Sequence, residues 1–73
     1  MKLYVSFGQK YNLRNSLMEF EDMSEEEVRE YMIEVYKNKY AFIYEEQDAM
    51  EQVIRYNLNI VPQGTELMES IWG

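Results

Sequence analysis

Carboxylates and phenols supply most of the chemistry open to this chain: fourteen Asp and Glu and seven Tyr in 73 residues, with no His and no Cys. Without an imidazole or a thiol, the usual pairs of nucleophile and activating base cannot be assembled. The same absence removes tetrahedral zinc sites, disulfides and every thiolate mechanism. Two carboxylates can still work as acid and base, as in glycoside hydrolysis, but that reaction needs a deep cleft that so short a chain cannot build. Lys2, Lys10, Lys37 and Lys39 fall in strand, loop or helix-end contexts, and none is predicted to be buried. The expectation is a protein with no catalytic residues and no cofactor.

Oxygen ligands for a metal are plentiful in Glu21-Asp22-Met23-Ser24-Glu25-Glu26-Glu27. A calcium loop, however, needs ligands at alternate positions, a glycine at the sixth and a closing bidentate Glu. That spacing is missing, and Gly8-Gln9 lacks the second glycine and the Lys-Ser/Thr pair of a phosphate loop. No metal site is predicted.

The distribution of the acids says more than their number. Glu19 to Glu30 holds seven acids and one base, Arg29, while Glu45 to Glu51 holds four acids and no base. The rest of the chain carries three acids and six bases, for a formal net charge of −7. Such a chain is repelled by DNA, RNA and anionic lipid, because phosphate binding depends on Lys and Arg displacing counterions. Neither a nucleic acid nor a membrane is an expected partner. A protein with a basic surface is.

The elements that must position these charges follow from periodicity. Leu3, Val5 and Phe7 alternate with Tyr4 and Ser6, and Met18 and Phe20 with Glu19 and Glu21, which predicts two strands joined by the polar loop between Gly8 and Ser16. Ser24 followed by Glu27 is a capping box, and Val28, Tyr31, Met32, Val35 and Tyr36 recur at helical spacing, predicting a helix over about residues 25–38. Tyr40 to Tyr44 is aromatic and β-branched, a third strand. Asp48 is a candidate cap for a second helix that buries Met50, Val53 and Ile54, with Asn57 as its stop. Leu58 to Val61 is a short edge strand ended by Pro62, and residues 65–73 form a last helical turn presenting Leu67, Met68, Ile71 and Trp72. The whole, residues 1–73, is one small domain.

A helix between the second and third strands implies a crossover connection, which puts the first strand in the centre. The expected fold is α+β: a two-layer sandwich of order ββαβα(β), with a mainly antiparallel sheet of three or four strands and both helices on one face. No apolar run approaches the length of a membrane span, and no signal peptide is visible. The expected location is the cytoplasm, which a Cys-free chain also fits.

Most of the acids have a bland explanation, since first-turn carboxylates complement the helix dipole and charge runs are usually solvated faces. It fits Glu25, Glu26, Glu27 and Asp48 well. It fits Glu26/Glu30 and Glu30/Glu34 less well, because like charges four apart cost roughly 0.2–0.5 kcal/mol each. Glu19, Glu21, Glu26, Glu30, Glu34, Glu45 and Asp48 are therefore the candidate partner-binding acids. Tyr31, Tyr36, Tyr40 and Tyr44 suit core edges. Tyr4, Tyr11 and Tyr56 are harder to place in so small a core, and Tyr11 and Tyr56 join the acids as candidate contacts because tyrosine is enriched in binding hot spots.

The opening Tyr4-Val5-Ser6-Phe7-Gly8-Gln9, the acidic strand, the Ser-Glu-Glu-Glu helix start at Ser24 and the aromatic strand ending Tyr44-Glu45-Glu46 together resemble a loose group of small bacteriophage and mobile-element proteins that begin Tyr-Val-x-Phe-Gly-Gln. The resemblance runs to about Pro62. Where those proteins often have a His after the Gln, Lys10 and Tyr11 stand here. The group has no established activity, so it implies a setting and no functional residue. That setting is the inhibition of host nucleic-acid-binding machinery in the host cytoplasm, as by anti-restriction or anti-CRISPR proteins, some of which mimic DNA. The expected function is a non-enzymatic modulator of that kind. A structural or assembly accessory, acting as a homodimer or larger homo-oligomer through the Trp72 tail, is the alternative.

Overall fold

A computed structural model of the chain describes residues 2–8, 11–37 and 39–68. Alternation sets the two central strands: β1 (Lys2–Ser6) pairs antiparallel with β2 (Ser16–Glu21), so that Leu3 faces Phe20 and Val5 faces Met18. Helix α1 (Glu25–Tyr36) follows, then β3 (Ile43–Glu45), α2 (Glu46–Tyr56) and β4 (Asn59–Pro62). The fold is α+β, with strand order β3-β1-β2-β4. β1 is interior and antiparallel to both neighbours, whereas β4 joins the outer edge of β2 in parallel.

Helix α1 begins as its sequence dictates. The Glu27 amide donates to Ser24 Oγ at 3.2 Å, and the Ser24 amide donates to Glu27 Oε1 at 3.0 Å. Three acids occupy the first turn, and Lys37 closes the helix in the left-handed conformation with φ 53°. Val28, Met32 and Tyr36 then bury against Leu3, Val5, Met18 and Phe20, with Tyr11 and Leu13 of the 8–15 loop completing that cluster.

The second helix corrects the expectation of two layers. α2 packs Ala49 against Tyr4 and Leu17, flanked by Tyr44, Val53 and Leu58, and these strand residues point to the face opposite Leu3 and Phe20. The helices therefore sandwich the sheet. Crossover handedness explains why. β2-α1-β3 moves across the sheet in one direction and β3-α2-β4 moves back, so two connections of the usual right hand must use opposite faces.

The buried side of α2 is also corrected. Ile54 is 84% exposed and Met50 is exposed, because the second face offers only a narrow apolar stripe between Lys2, Ser6, Glu19 and Glu21. A small residue, Ala49, is what lets the helix approach it. The cap is Glu45 by backbone geometry alone, with no side-chain bond, and Asp48 lies in the first turn instead. Asn57 does stop the helix, in the left-handed conformation. Residues 65–68 form no helix, and the rest of the expected last turn, including Trp72, lies outside the described residues.

Residues 63–68 return along α1, tied by the Tyr36 hydroxyl donating to the Thr65 carbonyl at 2.8 Å. Burial, with Tyr31 beside it, pushes the Tyr36 pKa up to about 12. A folded pKa raised above the unfolded value of 10.0 favours the protonated phenol. Its contribution is complete below pH 10 and is lost as pH rises towards 12. Urea denaturation is expected to show stability falling over that window, and falling less in Tyr36→Phe. At neutral pH the same variant loses about 1 kcal/mol with the hydrogen bond.

Candidate functional site: an acidic end of the sheet

Strand direction decides where the acids go. β1 starts where β2 and β3 end, and the register sets Lys2 opposite Glu21 and Leu3 opposite Glu45. With neighbouring strands about 4.8 Å apart, Glu21 and Glu45 flank β1 at a separation of about 10 Å. Both helices start from this same end. The first turn of α1 brings Glu25, Glu26 and Glu27, and that of α2 brings Glu46 and Asp48. The two acidic segments of the sequence thus meet at one end of the sheet. Among the described side chains, Lys2 and Arg29 supply the positive charge there, and Arg29 is spent on Glu25 at 3.5 Å.

The candidate acids are not equivalent within this arrangement. Glu21, Glu26, Glu45 and Asp48 are exposed at the acidic end. Glu19 is half-buried on the α2 face, where its Oε2 accepts from the Tyr4 hydroxyl at 3.3 Å and lies 3.9 Å from Lys2 Nζ. Burial, and then the Glu19 carboxylate, raise the Tyr4 pKa. Glu19 is thus committed to a partner inside the protein. Glu26, Glu30 and Glu34 line one exposed flank of α1, and Glu34 lies about 12 Å beyond Glu26 along the axis, away from the acidic end.

The two candidate tyrosines part company. Tyr11 is only 7% exposed and belongs to the core under α1, which removes it from the candidate contact surface. It is buried because the turn from Gly8 to Ser16 folds inward: the Tyr11 amide donates to the Gly8 carbonyl at 3.3 Å, and its ring covers Gly8. Tyr56 is 61% exposed, but at the C-terminal end of α2, opposite the acids.

The end around Tyr56 also holds what the sequence reading missed, an open pocket whose wall includes Arg14, Phe42, Tyr44 and Tyr56. Its one legible signal was the aromatic run Tyr40-Ala41-Phe42-Ile43-Tyr44, and the structure divides those rings: Tyr40 packs against the α1 cluster, while Phe42 and Tyr44 line the pocket. Among the described residues, no set of three or more acids is arranged to hold a metal ion, and no helix is long and apolar enough to cross a membrane.

Comparison of the chain with protein-family models, curated proteins and solved structures gives no match.

Proposed function

We propose that this protein is a non-catalytic binding protein that lays its acidic end over a basic, nucleic-acid-binding surface of a partner protein. The observation that carries the reading is the strand register, which brings the Glu19–Glu30 and Glu45–Glu51 segments to one end of the sheet. Dipole complementation accounts for the first-turn acids of both helices. It does not account for Glu21 on β2, or for Glu30 continuing a like-charged row from Glu26 along α1. A surface that stands in for a phosphate backbone needs such rows. The setting, inhibition of a host protein by a phage-encoded one, comes only from the resemblance of its sequence to phage proteins.

The test is a pull-down from host-cell lysate with the tagged chain at low and high salt, read by mass spectrometry. One nucleic-acid-binding protein should be enriched at low salt and lost as salt rises, because exposed charges are screened beyond about 8 Å at physiological ionic strength. Recovery of the bait alone, at a mass above the monomer and at every salt concentration, would replace this reading with the homo-oligomeric accessory.

A further inference from the structure

The pocket at the other end of the sheet has a cavity of about 400 Å³. That volume falls within the range of small-molecule sites, roughly 300–1,000 Å³. Fourteen acids crowd this chain, yet among the described residues Arg14 is the only charged group on the pocket wall. Arg14 is exposed and takes part in no ion pair among the described residues. Phe42, 65% exposed, and Tyr44 stand with ring centroids 6.2 Å apart, and Tyr56 joins them from the end of α2.

These groups are held in place. Ala41 and Phe42 both face Ser6 across the strand pair: the Ala41 amide donates to the Ser6 carbonyl, and the Ser6 amide donates to the Phe42 carbonyl, each at 2.9 Å. Two residues opposite one is the pattern of a β-bulge, a device that re-aims a side chain at a sheet edge. The Phe42 amide that the bulge would leave over donates to Ser6 Oγ at 3.2 Å. Arg14 sits in a turn closed by its own amide donating to the Tyr11 carbonyl at 3.1 Å and anchored by buried Tyr11 and Leu13. An exposed phenylalanine with a satisfied backbone, next to a guanidinium in no ion pair among the described residues, has a recognition geometry.

We infer that this pocket binds a small planar ring carrying one anionic group, with the ring against Phe42, Tyr44 and Tyr56 and the anion on Arg14. Arg suits both halves, since its planar fork takes phosphate or carboxylate through two hydrogen bonds. The net charge of −7 does not forbid an anion here. The acidic end is about 16 Å away along the strands, about twice the screening length at physiological salt. The inference is independent of the acidic end and of any protein partner.

Two ligand sources share this chemistry, a nucleobase with its phosphate and an aryl carboxylate. The experiment is a titration of the isotope-labelled protein, followed by amide NMR shifts, with adenosine 5′-monophosphate in one arm and 4-hydroxybenzoate in the other. Adenosine and 4-hydroxybenzyl alcohol are the neutral controls. At least one anionic probe should saturate, with shifts confined to residues around Ser6, Arg14, Phe42 and Tyr56, and the arm that saturates names the source. Arg14→Gln should weaken that probe about tenfold, as loss of a charged hydrogen bond does, and leave its neutral control unchanged. Phe42→Ala should weaken both. Should that variant unfold, Arg14→Gln, at an exposed turn position, decides alone. Three results would overturn the inference: no saturable shift with either probe at millimolar concentration, equal affinity in Arg14→Gln, or shifts centred on Lys37 and Lys39.

Discussion

Phe20→Ala is expected to cost about 3–5 kcal/mol, a large share of the stability of a domain this small. Phe20 is fully buried on β2, opposite Leu3 in the register, with the Tyr31 ring edge-on at 5.3 Å. Among the described residues it is the largest of the fully buried side chains, in the cluster that joins α1 to the sheet. At roughly 0.05–0.15 kcal/mol per residue a domain of this size has only about 4–11 kcal/mol in total. The loss should lower the melting temperature by roughly 15–30 °C, read by circular dichroism. Ile54→Ala, at an exposed position on the other helix, should stay within about 0.5 kcal/mol of the parent. A Phe20→Ala protein that melts within a few degrees of the parent would mean that the α1 face is not the main core.

That contrast between Phe20 and Ile54 shows what local sequence encodes here. Where a pattern and its consequence lie within a few residues, most of it was legible: the Ser24–Glu27 capping box, Val28, Tyr31, Met32 and Tyr36 of the helical stripe and the alternation of Leu3 and Val5 appear as predicted, whereas Val35, expected in the same stripe, is 49% exposed. Ile54 obeyed the same helical spacing and was expected inside. What it would have packed against was decided elsewhere, by Lys2, Ser6, Glu19 and Glu21 occupying the second face of the sheet. Small Ala49 is the docking residue there, and an alanine carries no periodic signal strong enough to mark it.

The placement of α2 depended on β4. Three strands with β1 in the centre allow both helices on one face. Adding β4 beside β2 makes the second crossover run back over the sheet, and handedness then puts α2 on the other side. Tyr11 illustrates the same limit at shorter range, since a polar loop gave no sign that its turn would fold a ring into the core. The meeting of the two acidic segments was left open by the sequence, which put each where a strand leads into a helix; antiparallel pairing of β1 with both β2 and β3 is what leaves their last residues at one end. The aromatic pocket was not legible. It needs a bulge at Ala41–Phe42, a turn at Arg14 and the end of α2 to arrive together, and no stretch of sequence contains all three.

Because the acids meet by position, position should govern partner binding more than net charge does. The paired variant Glu26→Lys/Glu45→Lys changes the formal charge from −7 to −3 at the acidic end. Glu34→Lys/Glu66→Lys makes the same change elsewhere: Glu34 is far along α1, and the Glu66 carbonyl is bonded to Asn12 in the loop by Arg14. The first pair should weaken the captured partner by roughly 100-fold, from about 2–3 kcal/mol of lost attraction and new repulsion at a charged interface. The second should weaken it less than about fivefold, through the slower long-range approach alone. Lys in the first turn of a helix itself costs about 0.3–1 kcal/mol of stability, so melting curves of both variants must accompany the binding isotherms. Folded Glu26→Lys/Glu45→Lys protein that binds like the parent would dismiss the acidic end as the contact surface. Equal losses in the two variants would reduce the effect to overall charge, with no role for the register that gathers these carboxylates.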